Sequence, residues 1–453
     1  MTAAAQGFAH SRDEFQDLVE RTLQLARERG ASDAAAEVSE GSGLSVSARL
    51  GKLENVERNR DKSLGVTVYL GQRRGHASTS DFSSKALGDT VQAAYDIARF
   101  TAEDPAAGLP DAEDLLLELA PDLDLFHPWA LDAQGACELA LRCEAAAMAT
   151  DRRISNSEGA AVSAQQSHFF AGSSRGFRGG YASSRHSISV APIAGRGADM
   201  QRDAWYSSER RAQDLADPEA VGRYAAERAL SRLKARKVAT AEVPVLFEST
   251  VAAGLLGALV QATSGGALYR KASFLLDSLG QPVLASHIDV DEDPFVLRGK
   301  GSSAFDDEGV RTHARSVVRG GVLQGYFLSS YSARKLGMKT SGHAGGSHNL
   351  VMHSRCTAAG DDLPTLIRRM HRGLFVTELM GQGVNYVTGD YSRGASGYWV
   401  EDGQIAFPVQ EVTIAGNLKD MFQRIVAVGT DRYTLGTKTV GSVLVSHMKL
   451  AGS

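Results

Sequence analysis

Four residues able to ligate zinc share one glycine- and serine-rich stretch, Ser341-Gly342-His343-Ala344-Gly345-Gly346-Ser347-His348-Asn349-Leu350-Val351-Met352-His353-Ser354-Arg355-Cys356. Imidazole and thiolate suit zinc, and three protein ligands plus a bound water make a hydrolytic centre. The steps between His343, His348, His353 and Cys356 are five, five and three. Odd steps fall on opposite faces of a strand, and a step of five leaves a helical face. Only a loop could gather all four. The plainer expectation is a glycine-rich loop whose histidines meet solvent or backbone. Asp306-Asp307-Glu308-Gly309 could hold a hard cation, but reads first as a charged turn between strands.

Signals for other chemistries are thin. Gly394-Ala395-Ser396-Gly397 does not match the G-x-S-x-G nucleophile elbow. Cys137 and Cys143 sit six residues apart in an Ala/Leu-rich helix, on different faces, and read as core. There is neither a Walker A motif nor a dinucleotide fingerprint. Residues 167–185 interleave Phe169, Phe170, Phe177 and Tyr181 with Arg175, Arg178 and Arg185, a mixture seen in nucleic-acid binders. The net charge of −4 and the strand periodicity point instead to a sheet surface.

These residues need elements to position them. With 453 residues the chain is long enough for two domains. Its 43% hydrophobic and 23% charged residues are ordinary for a globular protein. The acidic balance gives no bulk attraction to nucleic acid or an anionic membrane. The apolar run at 251–260 falls far short of the roughly 20 residues of a membrane helix. No basic-then-apolar leader is apparent at the N-terminus. Three cysteines without a C-x-x-C pair argue against a disulfide framework, and a reducing cytoplasm is the expected compartment.

The periodicity predicts helices over 11–29 (Ser11 and Glu14 at capping-box spacing), 84–101, 132–150 and 218–236. Leu44–Leu50 and Leu64–Leu70 alternate as strands, with the charged stretch Arg58-Asn59-Arg60-Asp61-Lys62 between them. Residues 103–128 read as a surface connection, and 153–208 as an antiparallel meander of short strands. A weak internal duplication fits this order of elements. The basic stretch 234–241 marks the expected boundary, giving an α+β domain over 1–238 and a β-rich one over 239–453. In the latter, 243–247 reads as a strand feeding a buried helix over 249–263. After Pro282, short strands and glycine turns are expected, with one helix at 362–373. The fold class is thus α+β: an N-terminal helix/antiparallel-sheet domain and a mostly antiparallel β C-terminal domain with one buried helix.

Three blocks resemble the TldD/PmbA metallopeptidase family, most closely its PmbA/TldE branch. The first is Gly265-Gly266-Ala267-Leu268-Tyr269-Arg270-Lys271-Ala272-Ser273-Phe274-Leu275. The second runs from Phe305-Asp306-Asp307-Glu308-Gly309 through Gly325-Tyr326-Phe327 to Tyr331-Ser332-Ala333-Arg334-Lys335-Leu336-Gly337-Met338. The third spans 381–403, with Gly383, Asn385, Gly389-Asp390-Tyr391-Ser392-Arg393-Gly394-Ala395 and Gly397. In the TldD branch the helix before the first block carries His-Glu-x-x-x-His. Those positions fall here at Gly257, Ala258 and Ala262, none of which can bind zinc or move a proton. The cysteine ligand that branch takes near its C-terminus is also missing, since no cysteine follows Cys356.

The resemblance implies a subunit without catalytic residues and without a metal of its own. It would work beside a TldD-like chain that carries the zinc, acting on short or unfolded peptides in peptide maturation and antitoxin turnover. Peptide contacts are expected at Gly383, Asn385, Asp390, Tyr391, Ser392 and Gly397. The alternatives are a binding or scaffold protein that pairs with itself, and a self-sufficient metallopeptidase using His343, His348, His353 and Cys356.

Overall fold

The computed structural model describes residues 7–452. The chain divides into two compact units. One holds the residues up to Leu233 together with Asp307–Arg311. The other holds Lys234–Asp306 and everything from Thr312 onward.

The first unit is a single large sheet with helices on one face. Helix α1 (Arg12–Glu28) starts at a capping box in which Ser11 and Glu14 satisfy each other's backbone N–H. It is followed by β1 (Asp33–Arg49), β2 (Lys52–Leu70), β3 (Arg73–Thr79) and α2 (Ser84–Phe100). Then come α3 (Ala133–Ala149), β4 (Ile154–Ser173), β5 (Arg178–Gly179), β6 (Ala182–Ala194), β7 (Gln201–Arg202), β8 (Trp205–Glu209) and α4 (Pro218–Ser231). The sheet order is β3-β2-β1-β4-β6-β7, with β5 on β4 and β8 on β6. Helix, three main strands and helix thus occur twice, and the two halves join through the antiparallel β1–β4 pair. This is the internal duplication that the order of elements suggested. Even-numbered residues of β1 face the helices. Val38 packs with Phe15, Val19, Leu64 and Val91, and Val46 packs with Ala140, Val162, Ile188 and Val221.

Several expectations need correction here. The charged stretch Arg58–Lys62 is not a link between strands but the middle of β2, a 19-residue strand paired with β1 throughout. Residues 52–63 are all exposed, so the period-two signal that marks a half-buried strand is lost there. The 153–208 strands are not short, since β4 alone runs 20 residues. The 103–128 connection is irregular but buries Leu109, Leu115, Leu116, Leu123 and Leu125. Helix α4 stops at Ser231 rather than 236, and Lys234 then takes a left-handed φ of 63° that no helix can continue.

The second unit contains β9 (Ala241–Phe247), α5 (Ser249–Ala262), the short α6 (Gly265–Tyr269), β10 (Ile288–Asp293), β11 (Arg315–Arg319) and β12 (Val322–Leu323). These are followed by α7 (Ser330–Leu336), β13 (Asn349–Ser354), α8 (Leu363–Met370), β14 (Gly373–Met380), β15 (Asp390–Glu401) and β16 (Gln404–Asn417). The unit ends with α9 (Leu418–Gln423), β17 (Ile425–Val428), β18 (Tyr433–Leu435), β19 (Lys438–Val440) and β20 (Val443–Ala451). One sheet runs β12-β11-β10-β13-β19-β18. The other runs β16-β15-β14-β9-β20-β17 and closes on itself, because the end of β20 also pairs with β16. Most pairings are antiparallel, but β14 with β9 and β13 with β19 are parallel. Helices α7 and α9, besides the expected α8, interrupt the strands. Both are too short to give a readable period.

Candidate functional site in the second unit

Helix α5 leaves β9 after Glu248 and packs on β9 and β14 of the closed sheet and on β18 and β19 of the other, burying Ala252, Leu255, Leu256 and Leu259. Of the three positions where a zinc helix would carry its ligands and base, Ala258 and Ala262 are buried, at 4% and 0% exposure. Gly257 lies on the open side with Thr250, Gly254 and Gln261. A Cβ at Gly257 would meet only the Cε of Lys438, at 3.8 Å. Lys438 is half-buried, and that burial lowers its pKa. The charged group over this face is therefore a cation, and no side chain here could hold zinc. Among the described residues, no three His, Cys, Asp or Glu side chains come together as a metal site.

The His343–Cys356 stretch does not assemble into a centre. His343 and His348 are buried with ring centroids 5.2 Å apart. His353 lies on β13 facing Asp289 and Asp291 at 3.8 and 3.9 Å, and Cys356 is exposed. What gathers the first two is Glu292 on β10, a residue that the spacing of histidines could not reveal. Its carboxylate accepts from Arg315 Nε at 2.7 Å and from the His348 backbone N–H at 2.7 Å. It also lies 2.9 Å from His343 Nε2. The tautomer that fits is Nε2–H donating to Glu292, with Nδ1 facing the Ser341 hydroxyl at 3.0 Å. Arg315 lies over the Phe327 ring. Burial alone would raise the Glu292 pKa, but His343 and Arg315 outweigh it and hold the carboxyl at about 2. Burial lowers His343, so that ring stays neutral despite its carboxylate neighbour. With its partners in place this cluster anchors the glycine-rich loop and leaves no ligand position open.

Asp306 and the residues after it do not form a cation site either. Asp306 accepts from the Ala344 N–H at 2.9 Å. Residues 307–311 belong to the first unit, where the Leu116 N–H donates to the Gly309 carbonyl at 3.0 Å. In the basic-aromatic tract, Arg178 pairs with Glu20 and Arg175 with Asp33, as a sheet surface would have it.

The third block forms the β14–β15 turn, the whole of β15 and the turn after it. Residues 381–388 lie open to solvent except for Val384 and Tyr386, which are partly covered. Gly383 is pressed against β15: its carbonyl accepts from Ser392 N–H at 2.6 Å, and a Cβ there would overlap the Ser392 carbonyl. The Asn385 side chain caps its own turn by accepting from the Val387 N–H. Asp390 accepts from Thr388 Oγ1 at 2.7 Å and from Asn417 Nδ2, and these bonds lower its pKa. Ser392 is exposed, whereas Gly397 is buried with its Cα against the β14 backbone. Tyr391 points into the core at 4% exposure. The structure thus brings Gly383, Asn385, Asp390, Tyr391 and Ser392 together around one turn and places Gly397 farther along the strand. Asn385 and Asp390 hold the turn in shape. Arg393, two residues from Tyr391, belongs to the same group but carries no distinguishing spacing.

Comparison with known proteins agrees with this architecture. Three family domains match along the chain: PmbA/TldA metallopeptidase domain 1 over residues 34–98, the central domain over 126–233 and the C-terminal domain over 240–452. The Metalloprotease PmbA of Escherichia coli O157:H7 is 49% identical over 97% of this chain and 96% of its own length. The Metalloprotease PmbA homolog of Haemophilus influenzae is 46% identical over the same shares. Among solved structures, a candidate modulator of DNA gyrase from Bacteroides thetaiotaomicron has TM-score 0.91 and 27% identity, covering 97% of this chain and 99% of its own. TldE from Thermococcus kodakarensis shares the fold at TM-score 0.83 and 19% identity, over 96% of this chain and all of its own. No helix among the described residues is long and apolar enough to cross a membrane. From its three matching domains and its relatives near half identity over almost their whole length, the chain belongs to the PmbA/TldD metallopeptidase family.

Proposed function

We propose that this chain is the metal-free subunit of a two-chain zinc peptidase of the TldD/TldE type, acting on short or unfolded peptides. The observation that carries this reading is α5, where Gly257, Ala258 and Ala262 stand in place of a metal motif and two of the three are buried core. The names of its relatives, metalloprotease and TldE, support the peptidase context. A TldD-like partner would supply zinc and the activated water. This chain would contribute substrate access and orientation, with the turn at 381–389 beside the peptide path. An extended peptide is held mainly by main-chain hydrogen bonds, which tolerate many sequences.

The test is native mass spectrometry of the tagged protein drawn from its own cells, reading total mass and bound zinc together. The expected species is this chain plus a second chain of similar size, with one zinc that departs with the second chain. A homo-oligomer without zinc would favour a self-paired scaffold. A homo-oligomer with one zinc per copy would overturn the reading outright.

A further inference from the structure

The internal duplication leaves a bare strip on the large sheet of the first unit. The core under α1 and α2 takes in β1 as far as Val38, and the core under α3 and α4 takes it up again at Leu44. Between the two, Ser42 is only half-buried. A cavity of about 350 Å³ opens over this strip. Its lining follows from the register. Arg60 of β2 lies opposite Ser42, and Arg58 lies opposite Leu44. The same row continues through Ala164 of β4 to His186 of β6. Directly opposed residues project to one side of a sheet, so both arginines face the gap between the helix pairs.

The charge of the cavity is positive and uncompensated. The Arg58 and Arg60 side chains are exposed and form no hydrogen bond or ion pair with any described residue. No carboxylate lines the cavity. The neighbouring acids of β2, Glu57 and Asp61, stand at alternate positions and project to the opposite face. On the helix side of β1 the next acid is Glu40, which is engaged by the Ala9 N–H and by His10. His186 adds no charge. Its Nε2 lies 2.8 Å from the His127 carbonyl oxygen and so carries the proton, and burial lowers its pKa. Two guanidinia spaced roughly 7 Å along a strand can converge on one phosphate, whose oxygens match their planar forks.

The far wall is apolar. Trp129 and Leu131 reach it from the segment before α3, and the Trp129 indole stands edge-on to His186 with ring centroids 5.4 Å apart. The volume lies at the lower end of small-molecule sites, enough for one small ligand rather than a stretch of polymer. An inorganic anion would use the arginines and leave the indole uncovered. A phosphate joined to a flat ring uses both walls.

We propose that this cavity binds a phosphate monoester with a flat, ring-bearing body, of the nucleoside monophosphate class. Arg58 and Arg60 take the phosphate, and Trp129 and Leu131 cover the ring. The site lies within the first unit and does not depend on the peptidase reading.

Calorimetric titration of the full chain tests this with four probes: adenosine monophosphate, adenosine, inorganic phosphate and acetyl-Asp-Ala-Asp amide. The nucleotide is expected to bind at least about tenfold more tightly than adenosine or phosphate alone. Arg58→Gln and Arg60→Gln change exposed side chains, and each should weaken the nucleotide about tenfold without moving the melting temperature. Trp129→Leu should weaken the nucleotide a few-fold and leave phosphate unmoved. No binding of the nucleotide up to about 10 mM, or equal binding of nucleotide and adenosine, overturns the proposal. Phosphate that binds as tightly as the nucleotide also overturns it and leaves a plain anion site. Preference for the aspartyl peptide overturns it in favour of a contact for acidic chains.

Discussion

Glu292 and Tyr391 are opposite cases of a buried polar side chain. Glu292 is charged, sealed and satisfied by Arg315, His343 and the His348 backbone. Removing one partner from such a group typically costs about 3–5 kcal/mol, because the remaining charges stay buried without compensation. Glu292→Gln keeps the shape and removes the charge, leaving Arg315 without its anion. A loss of about that size is expected in urea unfolding of the full chain; an unchanged midpoint would mean that the loop at 341–348 does not depend on this anchor. Tyr391 is sealed, and only the Arg393 guanidinium stands beside its hydroxyl. That hydroxyl is poorly satisfied, so Tyr391→Phe should leave stability unchanged or raise it by up to about 1–2 kcal/mol, as a thermal melt would report. A marked drop would reveal a hydroxyl partner within the chain.

At the scale of elements, glycine has two opposite uses here. Gly397 lets β14 and β15 approach so closely that a Cβ would sit 1.9 Å from the Phe375 carbonyl oxygen. Gly397→Ala must force the strands apart, and overpacking of this kind costs roughly 1–3 kcal/mol. Gly254 lies on the open side of α5, where an added Cβ meets nothing within 4 Å. Gly254→Ala should therefore stabilise the isolated chain by roughly 0.5–1 kcal/mol through helix propensity alone. Paired chemical denaturation curves would show the two substitutions moving in opposite directions. The same helix answers whether the zinc motif can simply be restored. Combining Gly257→His, Ala258→Glu and Ala262→His would put a carboxylate and an imidazole where the backbone leaves 4% and 0% exposure. Burying an unpaired ionised carboxylate costs several kcal/mol or forces its protonation. The expected product melts earlier and retains no stoichiometric zinc after dialysis, as metal analysis would report. A folded variant with one tightly held zinc would show that α5 can turn or shift more than its packing suggests.

For the molecule as a whole, acidification should act through three buried histidines. Burial is the leading cause of the lowered pKa of His168 and His186 in the first unit and of His343 in the second. Each folded value lies below the ordinary 6.5, so at mildly acidic pH the unfolded chain binds protons that the folded one refuses. Stability contributed by these rings is present above about 6.5 and declines as pH falls below it. The slope is at most about 1.4 kcal/mol per pH unit for each proton. Glu292 adds the same sign lower down, between its ordinary 4.5 and about 2. Unfolding midpoints at pH 8, 6.5 and 5.5 should fall in that order. A midpoint that rises on acidification would mean that these rings are protonated in the folded chain.

Local chemistry made much of this protein legible. Ser11 and Glu14 announced the start of α1, and the spacing of Phe15, Leu18, Val19, Thr22, Leu23, Leu25 and Ala26 announced its apolar face, of which all but Leu18 and Leu25 are buried, because a helix is built from contacts within a few residues. The family blocks placed α5 and the β14–β15 turn, and Gly257, Ala258 and Ala262 could be read as metal-free directly from their side chains. The sequence did not show that residues 52–63 continue a strand, since a strand exposed on both faces has no period to read. Nor did it show that Asp307–Arg311 packs with the first unit. The sequence determined which side chains were available for chemistry, for that is fixed by residue type. Only the tertiary structure decided which of them meet. Glu292 lies 51 residues from His343 and 23 from Arg315, and the pairing of β10 with β11 and β13 helps bring the three into one buried cluster.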